Sequence, residues 1–145
     1  MSNPVRFQPS AVPLSQQNNY GEQAQRLLGA TNALSVILSS QDGLLVGAHQ
    51  GADRDDAERV AALATVLLTS AREMAQFFAA TEGASKVRQM TMEREDGGFV
   101  ILAHVGPGVT VAVFTGPRTD LSSAAYEIVK FAQWFAPGVA DRAEA

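Results

Sequence analysis

The side chains that could carry out acid–base or metal chemistry are few in this sequence and poorly placed for it. Its only histidines are His49 and His104, and no carboxylate lies at metal-ligand spacing from either one. Four carboxylates do cluster, at Asp53, Asp55, Asp56 and Glu58. Such a cluster could bind a metal or exchange protons, but it also suits the first turn of a helix, where carboxylates cap free amides and oppose the helix dipole. We therefore predict no metal site, and we assign both histidines to packing or surface roles.

Motifs for an activated nucleophile and motifs for nucleotide binding are also absent from the sequence. The chain contains no cysteine, which excludes thiolate catalysis, disulfides and sulfur-ligated metals. None of its serines has a base in a recognisable catalytic motif, and its glycines match neither the P-loop nor the dinucleotide fingerprint. Gly97-Gly98 and Gly106-Pro107-Gly108 separate apolar runs instead, as turns do. We predict no catalytic residue and no cofactor, and an enzyme is the least favoured class.

Composition indicates one globular domain that does not bind nucleic acid. The 145 residues, 46% hydrophobic and 18% charged, are enough to bury a substantial core. A formal net charge of −4 disfavours contact with a phosphate backbone. No apolar run reaches the length of about 18 residues that a membrane span needs, and the N-terminus lacks the pattern of a signal peptide. We expect a cytoplasmic protein without membrane insertion.

Apolar periodicity and turn residues divide the chain into a flexible tail at residues 1–19, a domain at residues 20–137 and a frayed tail at residues 138–145. Asp42-Gly43 predicts a tight hairpin turn, and Pro137-Gly138 predicts the end of the final helix. The predicted helices are at 20–28, 53–78 and 121–135, and the predicted strands are at 33–39, 44–48, 87–93, 99–105 and 109–114. The strand at 87–93 is polar and suits a sheet edge, whereas the two strands after it suit the centre.

The long helix carries more apolar surface than one sheet face requires. A first row at three-to-four spacing comprises Val60, Leu63, Leu67, Met74 and Phe77. A second row comprises Ala57, Ala61, Ala64, Leu68, Ala71, Ala75 and Phe78. Covering a sheet takes a stripe of about 100°, so we expect the first row to cover the sheet and the smaller second row to admit the helix of a second copy. The alternative is that alanine is present simply as a good helix former.

Three segments resemble the roadblock/dynein light-chain domain family. Residues 39–46, Ser-Ser-Gln-Asp-Gly-Leu-Leu-Val, resemble the S-x-D-G-L hairpin of that family. Residues 53–64 are similar to the start of the long helix in bacterial members, and residues 120–127 are similar to the start of the last helix. The resemblance implies an α+β, profilin-like fold. One long helix covers one face of a five-stranded antiparallel sheet, and the terminal helices cover the other.

The same resemblance implies a homodimer. In many members the third strands pair across a two-fold axis and the long helices pack side by side, which is an isologous contact. In this chain, such a contact would account for both the alanine row and the polar edge strand at 87–93. The interface residues expected on this basis are Ala57, Ala61, Ala64, Leu68, Ala71, Ala75, Val87, Gln89 and Thr91.

Bacterial members of the family resemble regulators of small Ras-like GTPases, and some, the conservon type, are encoded beside a GTPase and a membrane sensor-kinase-like protein. The resemblance implies a non-enzymatic scaffold that binds a small Ras-like GTPase and modulates its cycle, with the sensor-kinase-like protein as a further partner. The expected GTPase contacts are Leu44, Val46, Arg54 and Arg72. Two alternatives stay open. One is a self-assembling structural or polarity protein without a GTPase partner, and the other is a small-molecule sensor with a pocket between sheet and helices.

Overall fold

Three helices and one five-stranded sheet make up the part of the chain that the structure describes. A computed structural model describes the backbone of residues 19–77 and 87–144, and the side chains of these ranges up to Phe135. The helices are α1 (Gly21–Thr31), α2 (Arg54–Gln76) and α3 (Leu121–Glu144), and the strands are β1 (Ser35–Ser40), β2 (Leu45–Ala48), β3 (Gln89–Glu93), β4 (Phe99–Gly106) and β5 (Val109–Phe114). Except for its last residue, the predicted N-terminal tail lies outside the described residues.

All strand pairs in the sheet are antiparallel, in the order β2-β1-β5-β4-β3. The polar β3 is therefore an edge strand and β4 and β5 are inner strands, as predicted. The tight turn at Asp42-Gly43 is also confirmed, because Gly43 has a φ of 81° that glycine adopts without strain. The amide of Ser40 donates to the carbonyl oxygen of Leu44 at 2.8 Å and closes the hairpin.

Alternate residues of the strands face two separate cores. Val36 and Leu38 of β1 pack with α1 and α3 on one face of the sheet, whereas Ile37 packs under α2 on the other face. Tyr20 and Phe135 join α1 to α3 through an edge-on ring contact with centroids 4.9 Å apart. The α+β class and the division of helices between the two faces are as expected.

Helix α2 begins where its acidic first turn predicts. The carboxylate of the N-cap residue Asp53 accepts a hydrogen bond from the amide of Asp56 at 3.0 Å, which satisfies one of the free donors of the helix end. One residue of α2 also attaches it to β1, because the Thr65 hydroxyl lies 3.2 Å from that of Ser39 and donates to the carbonyl of Ser40 at 3.3 Å. The predicted helix end at residue 78 lies outside the described residues.

The other two helices run past their predicted ends. Helix α1 does not stop at Gly29 but continues to Thr31, and Asn32 caps it in the left-handed conformation with φ 55°. The prediction that Pro137-Gly138 stops the last helix at Phe135 is also wrong, because α3 continues to Glu144. A proline removes one backbone donor and crowds one carbonyl. The turns before it are fixed by the burial of Ile128, Phe131 and Phe135, so the local penalty does not end the helix.

Candidate interaction surface

The alanine row of α2 packs inward onto the protein's own sheet. Four of its members are no more than 3% exposed and belong to the core or its boundary, namely Ala57, Ala61, Ala64 and Leu68. The prediction that this row lies open to a second copy is therefore wrong for these four residues. Ala71 and Ala75 are only half-buried.

Small side chains explain why this row faces the sheet. The sheet residues beneath α2 include Ala48 and Ala112 as well as the larger Ile37 and Leu102. Alanines on the helix let its axis lie close to these strands. In the first row, Val60 is half-buried and packs against this core. The other four members of the row project away from it.

Most of the larger apolar residues of α2 are exposed instead. We call Leu63, Val66, Leu67, Met74 and Phe77 the apolar ridge; their exposed fractions are 56%, 60%, 36%, 66% and 87%. Together they leave roughly three whole apolar side chains in water, each of which would gain about 1.5–3 kcal/mol from complete burial. Exposed apolar side chains in this number, on one side of one helix, are typical of an interaction surface.

An open strand edge is the second uncovered feature. Within residues 19–77 and 87–144, β3 pairs only with β4, so the other side of β3 presents free backbone donors and acceptors. Met90 and Met92 of β3 pack toward the core beneath α2. Of the predicted interface residues on this strand segment, Thr91 is exposed, and Val87 and Gln89 are half-buried.

The four residues expected to contact a GTPase do not form one site. Leu44 is exposed at the hairpin turn, whereas Val46 packs against the core on the α1 and α3 face. Arg54 lies in the first turn of α2, where its guanidinium contacts Glu58 at 2.8 Å. Arg72 lies eighteen residues further along the same helix, or about 27 Å at 1.5 Å per residue.

A cleft missed by the sequence analysis lies beside Arg72. Arg72 and Arg88 line it together with His104, whose Nδ1 lies 3.4 Å from the hydroxyl of Thr110. Burial and, secondarily, the nearby Arg72 hold the pKa of His104 below its ordinary value. No sequence signal could have joined these residues, because only the packing of α2 on β4 brings them together.

The described part of the chain contains neither a metal-binding cluster nor a membrane-spanning helix. No group of three or more metal-ligating side chains occurs in it, and none of its helices is long and apolar enough to cross a membrane. The second histidine, His49, accepts a hydrogen bond from the Val36 amide at Nδ1, 3.2 Å away, and so helps to hold the end of β2.

Comparison with solved structures places the fold among bacterial relatives. A Roadblock/LC7 domain from Streptomyces avermitilis is 28% identical, with a TM-score of 0.69 over 79% of this chain and 96% of its own. Myxococcus xanthus MglB is 18% identical, with a TM-score of 0.74 over 85% and 96% of the two chains. A second MglB structure, described as having a tetrameric arrangement, is 12% identical, with a TM-score of 0.69 over 90% and 96%.

The fold also extends to a eukaryotic protein, because profilin IB of Acanthamoeba castellanii matches with a TM-score of 0.51 at 13% identity, over 84% of this chain and 98% of its own. No curated protein sequence matches the chain. The family model described as the Roadblock/LC7 domain, in contrast, matches residues 20–115. This segment contains α1, the whole sheet and the ridge-bearing α2. The chain therefore belongs to the Roadblock/LC7 domain family.

Proposed function

We propose that this protein is a non-enzymatic homodimeric scaffold that binds a small Ras-like GTPase and modulates its cycle. The observation that carries the proposal is the apolar ridge of α2, uncovered in the lone subunit, on the same sheet face as the core side chains of the open edge strand β3. Membership of the Roadblock/LC7 family, whose bacterial members resemble GTPase regulators, supplies the class of partner. The membrane sensor-kinase-like partner and the cytoplasmic location belong to the same proposal.

A second copy of the chain is the occupant that fits the ridge best. An isologous dimer pairs each patch with itself, so one two-fold axis can bring two ridges together and align two β3 edges at once. Thr91, Gln89 and Val87 then lie along the strand seam, and Ala71 and Ala75 flank the helix contact. The tetrameric arrangement described for MglB supports self-association among relatives.

If the dimer forms as proposed, the ridge is covered and the GTPase must bind a different surface. Leu44 at the hairpin turn is exposed and stays accessible in such a dimer, as does Arg54 near the start of α2. These two residues are the best supported of the predicted GTPase contacts. Val46 is covered by the protein's own core and contributes to this surface only through its backbone.

Sedimentation velocity tests the dimer. The wild-type chain should sediment as a dimer at micromolar concentration, and a strictly monomeric chain at ten times that concentration would refute the homodimer. A pull-down with the small GTPase encoded nearest to this protein's gene, loaded with GDP or a GTP analogue, tests the partner. Leu44→Glu should reduce capture, whereas Arg118→Gln, exposed in a different turn, should not. Absence of capture in both nucleotide states would refute the GTPase function.

The alternative is a self-assembling structural or polarity protein without a GTPase partner. The same ridge favours it, because exposed apolar surface can also drive assembly beyond two copies. Light scattering separates the two functions, since assembly of this kind predicts a mass that keeps rising with concentration beyond that of a dimer.

A further inference from the structure

A cleft with a volume of about 550 Å³ lies between α2, the start of β3 and the turn between β4 and β5. This volume is in the range of small-molecule sites. The polar side chains that line it include Thr65, Thr69, Arg72, Arg88, His104 and Thr110. Two residues of the lining also appear in the contacts described above, because Val87 lies along the strand seam of the proposed dimer and Arg72 is a predicted GTPase contact. The proposed function assigns no small-molecule ligand to the cleft itself.

Positive charge dominates the lining. Two guanidinium groups, of Arg72 and Arg88, border the cleft, and none of the described residues that line it is a carboxylate. Neither guanidinium has a carboxylate partner among the described residues, whereas Arg54 and Arg94 are both paired. The chain as a whole has a net charge of −4, so this pair of arginines is a local excess of positive charge. An oxyanion would balance that charge through charge-assisted hydrogen bonds.

Two further side chains of the cleft, His104 and Thr69, carry hydrogen-bonding groups. The Nε2 atom of His104 is buried and has no hydrogen-bond partner among the described residues, and a buried polar atom of this kind is costly until something pairs with it. Its other ring nitrogen lies 3.4 Å from the Thr110 hydroxyl. Because Nε2 is closed to water in this geometry, a ligand pairs with it only when the ring turns toward the cleft. One turn before Arg72, Thr69 presents a hydroxyl at the same wall.

The cleft and the apolar ridge occupy different sides of α2. Thr65, Thr69 and Arg72 follow one another at spacings of four and three, which places them in one stripe of the helix. Leu63, Leu67 and Met74 form a separate stripe. A ligand in the cleft would therefore leave the ridge uncovered, and the two features can act independently.

We propose that this cleft binds a small molecule bearing a phosphate or a carboxylate, with Arg72 and Arg88 as its charge partners, Thr69 as a hydrogen-bond donor and His104 in the wall beside it. Isothermal titration of the full chain with pyrophosphate and with citrate, at low salt, tests the proposal. At least one probe should bind saturably, and its affinity should fall as sodium chloride is added. Tighter binding of pyrophosphate would assign a phosphate ligand, and tighter binding of citrate a carboxylate ligand.

Substitutions of three arginines test where the probe binds. Arg72→Gln and Arg88→Gln should each weaken the probe about ten- to hundred-fold, as expected for loss of a charge-assisted hydrogen bond. Arg118→Gln removes the same charge outside the cleft and should change the affinity less than about two-fold. In NMR spectra of the wild-type side chains, the probe should shift His104 and leave His49 in place. Failure of both probes to bind, or equal losses in all three variants, would overturn the site, and neither result depends on a GTPase.

Discussion

Leu63→Glu should separate the proposed dimer into folded subunits. Complete burial of a leucine is worth about 1.5–3 kcal/mol, so the 56% of Leu63 that is exposed represents about 0.8–1.7 kcal/mol. A two-fold axis doubles this loss to about 2–3 kcal/mol, which makes the dissociation constant about 30- to 150-fold larger. Desolvation of two glutamate carboxylates adds a further penalty.

The lone subunit should tolerate this change. Leu63 belongs to neither core, and glutamate forms helix about as well as leucine, so the monomer should lose less than about 1 kcal/mol. Sedimentation velocity over a concentration series measures the dissociation constant, and circular dichroism confirms that the subunit is folded. Gln76→Glu places the same charge on another side of α2 and serves as the matched control. Equal dissociation constants for Leu63→Glu and the wild type would refute the ridge as the dimer contact.

Substitutions at three other positions test the inner side of α2, its N-cap and the cleft. Ala64→Arg should unfold the chain, because Ala64 is 3% exposed and an arginine there overpacks the core; retention of the native circular dichroism spectrum would contradict the assignment of the two rows. Asp53→Ala removes the cap of α2 and should lower the free energy of unfolding by about 1 kcal/mol in urea titrations, while Asp53→Asn should keep most of it. Arg72→Gln should raise the pKa of His104, because one of the two causes of its lowering is the Arg72 charge, and an NMR titration that finds the pKa unchanged or lower would exclude that cause. Because the pKa of His104 is lowered in the native state, the unfolded chain binds more protons at this residue near and below pH 6.5. The neutral His104 therefore stabilises the fold fully above that pH and progressively less below it. Arg72→Gln should reduce this loss of stability in acid.

Features specified by neighbouring residues could be predicted from the sequence. The hairpin turn at Asp42-Gly43 depends on one positive φ, and the start of α2 depends on one carboxylate, that of Asp53. The edge position of β3 follows from its polar composition. In each case the physical cause lies within a few residues of its effect, so the sequence pattern is sufficient.

The orientation of α2 could not be predicted in the same way. Both of its rows are apolar and share one period, so periodicity alone identifies the wide stripe without telling which row faces the sheet. The choice depends on the strands beneath, where Ala48 and Ala112 leave room for a close helix. The cleft beside Arg72 and His104 is likewise a product of tertiary packing, because these residues are distant in sequence and neither carries a motif.

In α2, a mostly alanine row faces the sheet and most of the larger apolar residues face outward. This placement separates two demands that are usually coupled in a helix, namely holding it to its own sheet and meeting a partner. Substitutions at Leu63, Leu67 or Met74 can alter which surface the helix prefers to meet, while the residues that hold it to its own strands stay the same. New pairings, including those between diverged copies of such a chain, could thus arise through a few outward changes at little risk to folding.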